Sequence, residues 1–371
     1  ERGALYLDTC IEPWPGGYTD PDIPAAARTN YALREEVLAL RAGESTAPTA
    51  VVTHGANPGL VSHFVKRALL DVAADTGVGS GPCHTRQAWA ELASRLDVRT
   101  IHIAERDTQV SVQRKQANEF VNTWSVEGFV SEAQQPCEIG WGSHEKHFPP
   151  DGHQHPAGSR AAIYLSRPGC ATRVRSWTPR CGPYHGFAIT HGEAISIADY
   201  LTLRRDGEVC YRPTVHYAYH PCDDALLSVH EFCGRNYRLQ AGKRILVDDI
   251  VAGGVDELGV LLAGHARNAY WFGSVLSVDE ARQLAAHNSA TTLQVTAAAL
   301  AGMVWAIENP ERGVVEPDEM DFARILDLCA PYLGQLVGAY SDWTPLTDRQ
   351  RLFAEDLDPV DPWQFKNVRV C

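Results

Sequence analysis

Residues 51–71 read VVTHGANPGLVSHFVKRALLD, a short β-prone run, a tight turn and an amphipathic helix in immediate succession. Ala50, Val51, Val52 and Thr53 form the strand, and His54, Gly55 and Ala56 lead out of it. Asn57 then stands as an N-cap with Pro58 at the first helical position. Leu60, Val61, Phe64, Val65, Ala68 and Leu69 fall on one apolar face at helical spacing, while Lys66, Arg67 and Asp71 are expected to face away. Such a face docks on a sheet. Where the carboxyl end of a strand gives way to free helix N–H groups, open α/β sheets collect nucleotides and substrates. Gly55 would let a ligand approach the main chain closely. The plainer alternative is that Asn57 only caps the helix and Gly55 only turns the chain.

Working outward, residues 4–7 read as a first strand ending at Asp8 and Thr9, residues 12–23 (EPWPGGYTDPDI) as a loop, and residues 25–41 as a helix. Together with the strand at Val51 this is a β-loop-α-β unit. Beyond the helix of residues 58–74, the glycines of residues 77–81 read as a linker, followed by a helix over 85–96 and a strand over 98–104. Charge sits at the end of that strand, in Glu105, Arg106 and Asp107. No G-x-G-x-x-G phosphate turn occurs, so an N-terminal portion carrying one is expected to be missing. From residue 121 the texture changes: residues 136–193 are rich in Gly, Pro, His and short β-prone runs, with further strands expected in 215–231 and 244–247, which predicts a mainly antiparallel sheet. Ser277 and Glu280 form a capping-box pattern opening a helical stretch to Asn309, broken at Asn288; Pro317 starts another helix, and residues 363–370 read as a short strand. The expected organisation is three segments: 1–120 and 336–371 in one α/β domain, with an α+β domain of residues 121–335 inserted between them.

The 371 residues are 44% hydrophobic and 21% charged, an ordinary globular balance. A formal net charge of -13 argues against nucleic acid as a partner and favours a cationic small substrate over an anionic one. No apolar run approaches the ~20 residues that cross a bilayer, and the opening ERGALYLDT lacks the layout of a signal peptide. A cytoplasmic protein without a membrane role is expected. The ten cysteines include no C-x-x-C pair, so reduced thiols are expected rather than a zinc ribbon or a disulfide framework.

Four stretches and a tripeptide carry a resemblance: YLDT at residues 6–9, HGANPG at 54–59, AERDTQ at 104–109, NTWSVEG at 122–128 and HGE at 191–193. In this order and spacing, over essentially the whole chain, they resemble the saccharopine dehydrogenase superfamily. The resemblance implies a discontinuous Rossmann-like domain holding NAD, an inserted substrate-binding and dimerisation domain, and a homodimer. It further implies an NAD-dependent aminobutyl transfer between two putrescine molecules or related diamines. One is oxidised at an amino-bearing carbon, its imine loses ammonia and condenses with the second amine, and the Schiff base is reduced with NAD regenerated. The superfamily carries its glycine-rich fingerprint in an N-terminal stretch that this sequence does not contain.

A flexible dication with cationic intermediates needs negative charge and an aromatic face. Trp124 offers the face, a desolvated cation over an indole gaining ~2 kcal/mol. Glu105 and Glu132 are candidates for amine recognition, Asn57 for placing the nicotinamide or the reacting carbon, and His191 for a proton shuttle near neutrality. Glu12 and Glu193 are further substrate-binding candidates, and Asp256 with Glu257 is expected to line an acidic entrance. Asp8, Thr9, His54, Gly55, Asn57 and Pro58 are the expected cofactor contacts. For each, a core or surface role is the plain alternative. A reading from another class takes His144, Glu145, His147, His153 and His155 as a hydrolase metal cluster, although this loop does not fix imidazoles on a helix face. Saccharopine- or carboxyspermidine-type dehydrogenase chemistry would need arginines for substrate carboxylates, for which Arg114, Arg173 and Arg175 are available.

Overall fold

In the computed structural model, which describes residues 3–14, 16–41, 47–251 and 253–370, β1 (Tyr6–Leu7) lies parallel to β2 (Ala50–Val51). Pro15 in the predicted loop, and Glu1 and Cys371 at the outer ends of the expected segments, fall outside the described residues. On its other edge β2 pairs in parallel with Val314–Val315, completing a three-stranded sheet. The expected helix of residues 25–41 is divided: a 3-10 turn at Ala25–Arg28 is followed by Thr29, whose hydroxyl caps α1 (Asn30–Ala39).

The helix after β2 begins two residues later than its sequence suggests. α2 (Leu60–Thr76) has Gly59 at its N-cap, and the Asn57–Pro58 peptide is cis. Asn57 does not cap it, because main-chain carbonyls already do: Leu60 N–H donates to Gly55 and Val61 N–H to Ala56. The apolar face docks as predicted, Phe64 meeting Phe272 edge-on with centroids 5.5 Å apart. Lys66, expected to face solvent, is buried. Its Nζ donates to the Met320 carbonyl at 3.1 Å and lies over the rings of Trp89 and Tyr200. Burial pushes its ammonium down to about 8, against the pull of Asp318.

After α3 (Arg86–Arg95) comes β3 (Thr100–Asp107), which takes in the charged residues expected to follow it. α4 (Val126–Gln134) then leads into β4 (Pro136–Gly140), β5 (Gly152–Gln154), β6 (Ala162–Pro168), β7 (Arg173–Thr178) and β8 (Gly182–Phe187). α5 (Gly192–Tyr200) precedes β9 (Thr214–His220). The strand expected through 231 stops at His220, because Pro221 ends it and Asp223 and Asp224 open α6 (Asp223–Gly234), where acidic residues suit the helix dipole. β10 (Val255–His265) and β11 (Asn268–Ser277) form a long hairpin. α7 (Val278–Leu284) and α8 (Ala290–Glu308) each open with a capping box, Ser277 with Glu280 and Ser289 with Thr292, with the break at Asn288 where it was expected. α9 (Phe322–Cys329) and β12 (Gln335–Ser341) follow. Near the end, Phe365–Val368 is a helical turn rather than strand, and only Arg369–Val370 pairs, with β7.

Eleven of these strands make one sheet, whose main path runs β12-β11-β10-β3-β9-β4-β6-β5. Its pairings are mainly antiparallel, as residues 136–193 suggested, but β3 and β9 are parallel. The sheet draws on all three expected segments: β3 lies before residue 120, β12 mostly after 335, and both sit among strands of the middle segment. α8 is long and apolar enough to cross a membrane by length and composition alone, and 56% of its apolar window is buried inside the molecule. It packs on β1, β2 and β10, so closely that a Cβ on Gly302 would stand 2.7 Å from Leu7.

Candidate active site

The two parallel strands end side by side, and Asp8 joins them. Its Oδ1 accepts Thr53 N–H at 2.6 Å, its carbonyl accepts His54 N–H at 2.8 Å, and its Oδ2 accepts the Tyr6 hydroxyl at 2.7 Å. Burial raises its carboxyl while these donors lower it. From this clamp the chain turns through residues 55–59, closed by Gly55 N–H on the Pro58 carbonyl at 2.7 Å. Gly59, at φ +123°, admits no side chain, since a Cβ would lie 2.3 Å from Gly55 O. The turn thereby presents Asn57, whose Nδ2 donates to Glu105 Oε2 at 2.7 Å.

Glu105 is buried in β3 between β9 and β10. The same Oε2 accepts the Tyr217 hydroxyl. Burial pushes the carboxyl well above the usual range; Tyr217 and Asn57 pull it down, Asp107 pushes it up and His191 opposes. Asp107, two residues on, is opposite Asp256 in the register of β3 and β10, and both are fully buried. Burial raises both, and neighbouring carboxylates raise Asp256 further. Asp107 thus raises Glu105, and Glu105 and Asp107 both raise Asp256.

His191 ends the β8 side of the site and precedes α5. Its Nε2 faces Glu132 Oε2 at 2.9 Å and its Nδ1 faces Glu193 Oε1 at 3.2 Å. Burial opposes the charge on the ring, but the attraction and hydrogen bonds of the two carboxylates outweigh it and raise His191 well above its ordinary value. Both ring nitrogens are engaged by carboxylate oxygens, which hold the imidazole in place between Glu132 and Glu193. Its ring lies 4.5 Å from that of Tyr217. Trp124, at the N-terminal side of α4, donates its Nε1–H to the Tyr219 hydroxyl at 3.1 Å. Gly128 gives the indole room, as a Cβ there would come within 3.1 Å of it.

A pocket opens beside these groups, lined by Glu12, Tyr18, Asn30, Arg34, Thr53, Pro58, Glu132 and His191. Of the expected residues, Asn57, Glu105, Trp124, Glu132, His191 and Glu193 belong to one linked network, while Glu12 and Pro58 border the pocket beside it. Asp8, Thr9 and Gly55 lie at the strand ends, a Cβ on Gly55 coming within 3.3 Å of Thr9. His54 is placed differently: its ring is buried, Nε2 against His63 Nε2 at 3.1 Å, so only its main chain faces the strand ends. Asp256 and Glu257 do not line an entrance. Both are buried, Asp256 taking the Thr291 hydroxyl and Glu257 the Thr178 hydroxyl and Arg180 N–H, because the long hairpin is covered on both faces.

Sequence reasoning did not find Tyr217, Tyr219, Tyr18 or Arg34. The alternation in TVHYAYH was the available sign of the first two, since residues two apart share a face of a strand. Arg34 lines the pocket but is engaged by Glu316 at 2.6 and 2.8 Å and by Asp199 at 2.9 Å. The five residues of the supposed metal loop do not converge on one point: His144 faces the Trp363 carbonyl and lies 3.6 Å from Glu145, which accepts the Thr214 hydroxyl, His147 faces Asp358, His153 faces Ser166 and His155 stacks on Tyr31. Among the described residues no group of three or more metal-ligating side chains forms. Arg114 pairs with Asp224, and Arg173 and Arg175 with His230 and His185, away from the pocket.

The strand-end crevice fits the reactive end of a dinucleotide: two adjacent parallel strands, a turn closed by Gly55 and Gly59 and Asn57 beside a buried acid. It does not offer the first N–H groups of α2 to phosphate, because Gly55 and Ala56 occupy them. Asp8 and Thr9, after β1, and Gly55, Asn57 and Pro58, in the turn after β2, border this crevice.

The class follows from the family match: the model of the saccharopine dehydrogenase C-terminal domain covers residues 55–341. Over 371 residues the chain is 57% identical to the homospermidine synthase of Blastochloris viridis, covering 100% of this chain and 78% of that protein. It is 54% identical to the homospermidine synthase of Mesorhizobium japonicum, covering 99% of this chain and 76% of that protein. The crystal structure of homospermidine synthase from Legionella pneumophila in complex with NAD superposes with a TM-score of 0.93 at 51% identity, covering 100% of this chain and 78% of that one. The chain belongs to the homospermidine synthase family.

Proposed function

We infer that the chain is an NAD-dependent homospermidine synthase, converting two putrescine molecules to homospermidine and ammonia. The observation that carries this reading is the network linking Asn57, Glu105, His191 and Glu132, with Trp124 joined to it through the Tyr217–Tyr219 stack. Bound NAD supplies hydride acceptance and return, so the net reaction is redox-neutral. Glu12 and Glu132 attract the ammonium groups of a diamine. Glu105, raised by burial, takes a proton from an amine and gives it back. The Trp124 face stabilises the planar cation formed on the substrate in preference to the tetrahedral amine. His191, kept protonated by Glu132 and Glu193, supplies an acid for the departure of ammonia.

A division of labour accompanies this reading. The three-stranded parallel sheet is assigned to the NAD-binding unit and the large sheet to a substrate-binding and dimerisation unit, a division that departs from boundaries at residues 120 and 335 by placing β3 and β12 in the second unit and Val314–Val315 in the first. A cytoplasmic homodimer without nucleic-acid or membrane partners completes the proposal, supported by the acidic net charge and the family resemblance. Incubation with putrescine and NAD, followed by chromatography for homospermidine and absorbance for net NADH, tests the activity. Homospermidine without net NADH is the expected result. NADH accumulating without homospermidine would instead support a simple dehydrogenase.

A further inference from the structure

Tyr217 and Tyr219 stand two residues apart on β9, so their rings leave the same face of the strand. They lie stacked, centroids 5.2 Å apart and planes within 10°, and both are buried. Phenylalanines would fill this space equally well. Each hydroxyl, however, meets a group of the site just described: that of Tyr217 donates to Glu105 Oε2, and that of Tyr219 accepts Trp124 Nε1–H at 3.1 Å. The neighbouring Tyr184 hydroxyl, in contrast, donates to a main-chain carbonyl, that of Ala218.

We propose that Tyr217 and Tyr219 are positioning residues of the reaction, Tyr217 fixing the carboxyl of Glu105 and Tyr219 fixing the plane of the Trp124 indole. The inference rests on the functional reading above. A glutamate turns about several bonds, and in the buried site Tyr217 and Asn57 both hold the same oxygen. An indole turns about two bonds, and tethering its Nε1–H keeps one face towards the place a cation would occupy. The stack joins the two constraints, and Phe129 packs edge-on against Tyr219 at 5.7 Å.

The pH behaviour of Glu105 follows from everything that faces it. Asp107 lies on its own strand and Asp256 on β10; Tyr217 and Tyr219 are on β9, Tyr184 on β8, Asn57 on the turn and His191 at the start of α5. The acids disfavour its charge, while Tyr217, Asn57 and His191 favour it. Removing the Tyr217 hydroxyl leaves the ring and takes away one of the supports of the carboxylate.

The experiment uses the natural full-length protein with Tyr217→Phe and Tyr219→Phe, measuring kcat and KM for putrescine against pH together with the thermal midpoint. Tyr217→Phe is expected to lower kcat about 10- to 100-fold, hold KM within about 2-fold, and move the limb that reports Glu105 up by about one pH unit. Tyr219→Phe is expected to raise KM about 5- to 10-fold with both limbs in place. A wild-type pH profile in Tyr217→Phe overturns the proposal. So does an equal loss in both variants that tracks a lowered thermal midpoint, since packing alone would produce it. Wild-type protein that makes no homospermidine defeats the functional reading itself and this inference with it.

Discussion

Asn57 and Glu105, 48 residues apart, share a 2.7 Å hydrogen bond that joins the turn after β2 to the buried centre of β3. It makes the strand-end crevice and the acidic centre of the large sheet one site. A hydrogen bond to a charged group contributes about 1.5–3 kcal/mol, so Asn57→Leu is expected to lower kcat/KM for putrescine by roughly 10- to 100-fold. The loss also raises the Glu105 carboxyl, moving its limb of the pH profile upward. Steady-state kinetics from pH 6 to 10 check both, and an unmoved limb would separate Asn57 from the titration of Glu105.

For Trp124 the argument is the face rather than the bulk. A cation–π contact of ~2 kcal/mol corresponds to about 30-fold in rate. Trp124→Ala is expected to lose at least that in kcat/KM, while Trp124→Phe, with a weaker face and no Nε1–H for Tyr219, loses about 10-fold. Equal effects of the two substitutions would point to packing against Phe129, 5.6 Å away, in place of cation stabilisation.

Gly59 sets where Asn57 points. At φ +123°, with a Cβ landing 2.3 Å from Gly55 O and 2.9 Å from His54 Cα, Gly59→Ala cannot keep the turn. A loss of roughly 2–3 kcal/mol in unfolding free energy is expected, with activity falling alongside. Denaturant titration reads it directly. A midpoint matching the wild type would mean the turn relaxes without cost.

What the sequence disclosed and what it hid have physical reasons. The β2 to α2 turn was legible because β-branched residues, glycines, a proline and a helical apolar period follow each other in a few residues. Asn57 was misread as a cap because Asn-Pro before a helix normally caps it; only the carbonyls of Gly55 and Ala56, folded back on α2, free its side chain for Glu105. Asp256 follows two glycines and looked exposed, yet it enters a strand opposite Asp107 in a sheet covered on both faces. Tyr217 and Tyr219 resemble ordinary strand core, because what their hydroxyls meet comes from residues over 90 positions away.

Buried imidazoles add a pH term to stability. His54 and His63 face each other at 3.1 Å without exposure, and burial pushes His54 down to about 4 and His63 well below its usual value. With folded values below the unfolded one near 6.5, the unfolded chain binds more protons, so their contribution is complete above ~6.5 and is lost as pH falls toward 4. His63→Leu removes one of these titrations. Between pH 6 and 5 the unfolding free energy of the variant is expected to fall less steeply than that of wild type, by up to about 1.4 kcal/mol per pH unit. Parallel slopes would mean that His63 does not take up its proton on unfolding.

The sign is opposite at His191. Glu132 and Glu193 hold its folded value above the unfolded 6.5, so the charged trio stabilises fully below ~6.5 and the stabilisation is lost as pH rises through the folded value. Glu132→Gln leaves Glu193 as the single carboxylate on the ring, 3.2 Å from Nδ1. The His191 value then drops, and the alkaline limb of kcat/KM, where the imidazolium gives up its proton, is expected to move down by at least about one pH unit. The same substitution removes a carboxylate from the pocket wall, so KM for putrescine rises several-fold as well. NMR of the imidazole against pH distinguishes the two effects. A His191 ring that titrates alike in wild type and Glu132→Gln would show that Glu132 acts on the substrate alone and not through the histidine.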